Sequence, residues 1–163
     1  MNTLIRNLAL AGLLALGAGA ASAGVTVKYI EPDKFSDLPF SPWEREEVLR
    51  DLSDYFTKLG KSLPQGQDLA IEVTDVDLAG REYPKSRAAR DLRILKGQAD
   101  WPIIVLRYTL TENGQVLRSG EAKISDMNYL HRINRHWDSE SLRYEKRMLD
   151  EWFADDILRK RPG

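Results

Sequence analysis

Cysteine is absent from this 163-residue chain, and histidine occurs only twice. The first absence excludes disulfides, thiol catalysis and the cysteine-borne lipid of bacterial lipoproteins. The two histidines, His131 and His136 in HRINRH, are five apart. They do not share a helix face as a zinc pair four apart would, and no HExxH is present. Both read as surface or capping histidines. No GxSxG nucleophile elbow and no GxxxxGK[ST] phosphate loop occurs, and Ser119 in RSGEA lies mid-strand. An excess of charge of either sign is lacking too. The chain carries 24 basic and 25 acidic side chains, which gives no electrostatic case for nucleic-acid binding. Only one long apolar run is present, at the N-terminus.

That run defines the first segment. MNTLIRN carries a single charge, Arg6, LALAGLLALGAGA is too short to span a bilayer comfortably, and ASA at Ala21–Ala23 supplies small residues at the positions signal peptidase reads. Residues 1–23 are expected to be a cleaved signal peptide, and 24–163 a single exported, periplasmic domain without a membrane anchor. Its length suffices for one core without staples.

Along this domain VTVKYI (Val25–Ile30) alternates as a strand. SPWE sets Ser41 as N-cap, Pro42 at the first helical position and Glu44 at the third, the pattern of a capping box. The helix that follows places Val48, Leu49, Leu52, Tyr55, Phe56 and Leu59 on one stripe, with Gly60 and Pro64 to stop it. A second strand starts at Leu69. Its apolar face switches near Thr74–Asp75, so a β-bulge there is expected to keep one buried face and to turn Asp75 and Asp77 outward. From Gly80 to Asp100 the pattern loosens, with DLRIL (Asp91–Leu95) as a short edge strand. IIVLRYTL and QVLRSGEAKI form a hairpin. A three-residue loop, Glu112–Gly114, puts Ile104, Leu106, Tyr108 and Leu110 on the face of Val116, Gly120, Ala122 and Ile124. A final helix is expected over about Ser139–Lys160, capped by Asp138, with Leu142, Met148, Leu149, Trp152, Phe153 and Ile157 as its stripe. Trp43, Trp101 and Trp152 suit core packing, whereas Trp137, among polar neighbours, is expected at the surface. The order predicts an α+β, two-layer sandwich: a mixed sheet of four to five strands covered by two helices, opening with a parallel crossover.

VKYIEPDKFSD, TDVDLAG, RDLRIL with WPIIVLRYTL, GEAKISDMNYL and RYEKRMLDEWF span nearly the whole domain. On these segments the chain resembles the exported bacterial domain-of-unknown-function family 3016. The resemblance implies an export signal and one domain in a Gram-negative-type envelope, and it brings no activity, catalytic residue or cofactor.

Two functional readings follow. Arg81, Lys85, Arg87, Arg90, Arg93 and Lys96 form one basic stretch; Arg132, Arg135 and His136 lie beside Tyr129 and Trp137 in another. Basic groups interleaved with aromatics grip anionic polymers or phosphorylated head groups, or dock an acidic protein. The bland counterpart is a solvated charge run paired with nearby acids. A non-catalytic binding or accessory domain, with an envelope protein or anionic envelope component as partner, is the leading expectation. Its site would be Arg87, Arg90, Arg93, Tyr129, Arg132, Arg135 and Trp137, with no cofactor. The rival is a metal-dependent hydrolase using Asp75 and Asp77, two carboxylates about 7 Å apart on one strand face. No calcium-loop pattern supplies a third ligand, and pairing of these aspartates with Arg90 or Arg93 is the structural alternative. A purely structural, stress-protective protein would show neither activity.

Overall fold

The computed structural model describes residues 24–83 and 92–159. Four strands, β1 (Gly24–Tyr29), β2 (Gln67–Asp77), β5 (Ile103–Glu112) and β6 (Gln115–Ser125), form a sheet in the order β1-β2-β5-β6. β1 runs parallel to β2, and the other pairs are antiparallel. Between β1 and β2 the chain passes through α1 (Pro42–Gly60), the crossover that a parallel pair requires. Two further strands, β3 (Arg81–Tyr83) and β4 (Leu92–Ile94), make a separate antiparallel ribbon. α2 (Arg143–Trp152) ends the fold and widens into a π turn over Phe153–Ile157. The architecture is the expected α+β arrangement of two helices against one face of a mixed sheet. Among the described residues, no helix is long and apolar enough to cross a membrane.

The helices and the inner sheet face share one core. Leu52, Tyr55 and Phe56 of α1 and Met148, Leu149 and Trp152 of α2 pack on Leu69, Ile71, Val73, Ile104, Leu106 and Leu110. A fully buried side chain such as Leu52 or Phe56 contributes about 1.5–3 kcal/mol by leaving water. Thr26, Lys28, Asp68, Arg107, Glu121 and Lys123 line the exposed outer face. At Gly60 the helix runs against β1, and a Cβ there would lie 2.1 Å from Val25 Cγ2. The glycine therefore sets the distance between helix and sheet as well as ending the helix.

The bulge in β2 is present. Val73 faces Leu106 and Asp75 faces Val105, so Thr74 is the extra residue. Val76 and Leu78 thereby join the buried face.

Other expectations are corrected. The SPWE helix start is as read, but Ser41 makes no side-chain capping bond, so no capping box forms. The hairpin closes through two residues, Asn113 (φ 50°) and Gly114 (φ 81°), not three. The parity is instead restored by a bulge in β6 at Leu117, since Leu110 faces Arg118 while Thr111 faces Val116. Val116 thus lies beyond the bulge and is exposed, whereas Ile104, Leu106 and Tyr108 face Ile124, Ala122 and Gly120 as expected. The DLRIL segment is no edge of the main sheet. Gly80 (φ 82°), where a Cβ would meet Ile94 O at 2.6 Å, turns the chain so that β3 pairs with β4 alone. Trp43 is not core: it sits in the first turn of α1 and is exposed. The last helix starts at Arg143, not Ser139. Leu142 adopts a left-handed backbone (φ 53°), and Ser141 is held on α1 by a 2.5 Å bond to Asp51. Asp138 consequently caps nothing and pairs with the Arg143 guanidinium.

Candidate functional site: the loop between β6 and α2

Residues 126–142 form a loop whose backbone is organised by short polar side chains. Asp126 Oδ1 accepts from the Asn128 amide (3.1 Å) and Asn134 Oδ1 from the His136 amide (3.0 Å), two local turns of the type these residues favour. Backbone bonds from His131 to Asn128 and from Glu140 to Trp137 close two more.

What anchors the loop is α2. Glu145, Lys146 and Arg147 are consecutive, charged and buried. Successive helical positions point about 100° apart, and each of the three reaches a different segment. Glu145 accepts from the Ala79 amide at the end of β2 (2.7 Å). Lys146 pairs with Asp51 on α1 (3.0 Å) and Glu140 (3.4 Å). Arg147 pairs with Asp126 and donates to the carbonyls of Tyr129 (3.1 Å) and Arg132 (3.0 Å). The Asn134 amide adds a bond to Arg143 O (2.9 Å).

His136 makes the second anchor. Its Nδ1 lies 3.2 Å from Glu140 Oε2 and its Nε2 2.9 Å from Asp150 Oδ2. Asp150 also accepts from the Tyr55 hydroxyl, and the Tyr55 and His136 rings meet edge-on at 5.7 Å. Burial of Glu140 would raise its pKa, but hydrogen bonds from His136 and Lys146 outweigh that and hold the carboxyl below its ordinary value. Burial, reinforced by Asp150, raises the Tyr55 hydroxyl well above its usual range. Burial likewise raises Glu145.

These shifts set a pH dependence. A carboxylate whose folded pKa is depressed stabilises the fold above its unfolded value, here 4.5, and loses that contribution as pH falls through the folded value. Glu145 is shifted the other way and favours the fold more at low pH. Thermal unfolding followed below pH 4.5 should therefore show a smaller acid-induced loss in Glu140→Gln than in the unsubstituted chain. Parallel curves for the two proteins would show that Glu140 carries no such linkage.

The loop's other side faces solvent. Ile133 is 91% and Trp137 82% exposed, and Met127 and Leu130 of the same loop are exposed as well. The expected site residues separate accordingly. Trp137 and Arg135 are exposed. Arg132 is bound through both terminal nitrogens to Glu151 (2.9 and 2.6 Å). Tyr129 is buried, its hydroxyl accepting from the Gly97 amide (3.3 Å) and its pKa raised to about 12 by burial. That bond also brings the end of the first basic stretch against the second. Arg93 is turned inward onto Asp37 (2.8 Å), while Arg87 and Arg90 lie outside the described residues. His136 is not a surface histidine, because the two carboxylates draw it inside; His131 is exposed.

Asp75 and Asp77 are occupied by the fold. Both Asp75 oxygens accept from Ser36, one from its amide and one from its hydroxyl, each at 2.7 Å. Asp77 pairs with Arg81 at 2.8 Å, and burial raises its pKa despite that arginine. Their described partners are Ser36 and Arg81; Arg93 pairs with Asp37 instead, and Arg90 lies outside the described residues. Among the described residues no group of three or more His, Cys, Asp or Glu side chains is placed to hold a metal ion.

The sequence alone did not mark Ile133, Met127 and Leu130 as exposed apolar side chains or Glu145–Arg147 as the buried charges that hold the loop. The signal available was slight: Ile133 stands alone between basic and amide residues, without helical or strand period.

The class defined by this geometry is an α+β sandwich with an apolar-tipped loop braced by buried ion pairs. Residues 23–155 match the family described as protein of unknown function DUF3016. The chain belongs to that family. Comparison with curated proteins and with solved structures gave no match.

Proposed function

We propose that the protein is an exported, non-catalytic binding domain of the bacterial cell envelope, and that it binds through the tip of the 126–142 loop. One observation carries the reading. A fold that buries Arg147 with Asp126 and His136 with two carboxylates to hold one loop also leaves Ile133 and Trp137 of that loop almost fully in water. Large apolar side chains exposed on a preorganised element are the usual anchors of recognition, because their contacts cost little ordering on binding. Arg135 supplies an exposed cation beside them. The N-terminal signal pattern supports export to the periplasm.

This reading changes the balance between the two basic stretches. Arg93 and Arg132 are engaged by Asp37 and Glu151, so the apolar tip, not the arginine count, supplies the contact energy. Immobilised protein should retain a component of a whole bacterial envelope extract, membranes included. Ile133→Asp and Trp137→Ala should each lower that retention at least about tenfold, as expected when a single anchor side chain is lost. Their thermal stability should stay within about 0.5 kcal/mol of the parent, because both side chains are exposed. Retention unchanged in both variants would refute a role for the loop.

A further inference from the structure

We infer that the free edge of β6, where it runs beside the end of α2, docks an extended basic peptide segment as an added strand. The site is separate from the tip of the 126–142 loop, and the inference does not rest on that loop binding anything.

The sheet order supplies the edge. β6 is a terminal strand, so one side of its backbone pairs with β5 and no strand lies beside the other. At every second residue of such a strand the amide and carbonyl point away from the partner. Among the described residues, no backbone bond from outside the sheet reaches Gln115–Ser125.

A cleft of about 390 Å³ lies along this edge. Glu121 and Lys123 are on the outer side of the sheet and Ala122 and Ile124 on the core side, yet all four line the same cleft. Successive side chains of a strand point to opposite faces, so they border one space only where it runs alongside the strand. The opposite wall is one stripe of α2 and its π turn, from Met148 through Trp152 to Asp155 and Asp156. At strand spacing, residues 121–125 run for about 14 Å, room for about four residues of extended chain.

Charge selects the occupant. Four carboxylates line the cleft, on Glu121, Glu151, Asp155 and Asp156, against one cation, Lys123. Arg132 engages Glu151. Glu121, Asp155 and Asp156 are exposed, and none of their side chains is in an ion pair among the described residues. Nor are these acids among any described group placed to hold a metal ion, so cations spaced along a peptide match them better than a point charge does. A second copy pairing through the same edge would set these acids against their own kind, which is unfavourable. Trp152, 5% exposed, lines the same wall, and its Nε1 is a donor without an acceptor among the described residues. Main-chain bonds to the β6 edge then supply affinity, and the acids select basic side chains.

The probe is a fluorescein-labelled peptide of about eight residues, alternating lysine with valine, added to the full chain. Fluorescence anisotropy should show binding that weakens with salt, because exposed charge contacts are screened. The double variant Asp155→Lys with Asp156→Lys should bind about tenfold more weakly or worse, since attraction is replaced by repulsion. Its thermal unfolding should match that of the parent, because both side chains are exposed. Bound peptide should slow amide exchange at alternate residues of Glu121–Ser125, whose outward amides gain acceptors. The same peptide methylated at every backbone amide should lose binding. Ile133→Asp and Trp137→Ala should bind the peptide as the parent does, which separates this site from the loop: failure of either leaves the other standing. Absence of binding, equal affinity in the charge-reversed variant, binding that survives methylation, or unchanged exchange at Glu121–Ser125 would each overturn the added-strand site.

Discussion

Asp126→Ala should destabilise the protein by about 3–5 kcal/mol, among the largest effects of any single change outside the apolar core. The Asp126 and Arg147 side chains are only 4% and 6% exposed, and they pair with each other. Deleting the carboxylate leaves a guanidinium in a dry site with two carbonyl partners and no counter-charge. Those carbonyls, of Tyr129 and Arg132, belong to the loop itself, so the loss should propagate to the tip. Urea unfolding gives the magnitude, and amide exchange of residues 127–137 should accelerate alongside it. The double change Asp126→Ala with Arg147→Met should cost less than Asp126→Ala alone, because replacing both members of a buried pair by apolar groups removes the stranded charge. A loss under about 1 kcal/mol for the single change would mean that Arg147 finds water or another acid.

Trp152 is the second position of large effect. It is 5% exposed, and its ring meets Phe56, Tyr108 and Phe153 edge-on, at 6.4, 5.7 and 6.3 Å between centroids. It thereby joins both helices to the sheet. Trp152→Ala should cost about 3–5 kcal/mol through lost burial and the cavity left behind. Its Nε1 finds no acceptor among the described residues. Trp152→Phe deletes that orphaned donor and keeps most of the ring, so its cost should stay below about 1.5 kcal/mol. Thermal and denaturant unfolding of the two variants separate the contributions. Equal losses would mean that the indole nitrogen is satisfied and that the five-membered ring carries the packing.

The elements that were legible share a property: each is specified by residues close together in the chain. The α1 stripe from Val48 to Leu59 repeats every three or four residues, and Pro42 marks its start. The bulge at Thr74 could be placed because the apolar face of β2 changes parity within five residues. The hairpin parity was read correctly for the wrong local reason. Apolar pairing constrains which face Ile104 and Leu106 share, but a three-residue loop and a two-residue turn with a bulge at Leu117 satisfy that constraint equally. Asn113 and Gly114 decide between them by both adopting positive φ.

The site was less legible because its supports are distant in sequence. Asp126 and Arg147 are 21 residues apart, His136 and Asp150 14, and Lys146 and Asp51 95. No local period distinguishes an arginine committed to a buried carboxylate from one in solvent, which is why Arg93 and Arg132 entered the reading on equal terms with Arg135. Nothing local in the charged run Glu145–Arg147 marks it as interior, yet all three side chains are buried, against the end of β2, α1 and the loop respectively.

By itself, the sequence determined the α+β class, the two amphipathic helices, the bulged second strand and the pattern of an export signal. These rest on hydrophobic periodicity and backbone propensity, which act over a few residues. Tertiary structure alone decided which charges pair and which side chains of the 126–142 loop face water. Ion pairing at a distance and burial depend on how the chain returns to itself. The same residue types therefore brace the loop from inside at Arg147 and His136, and mark its exposed tip at Arg135 and Trp137.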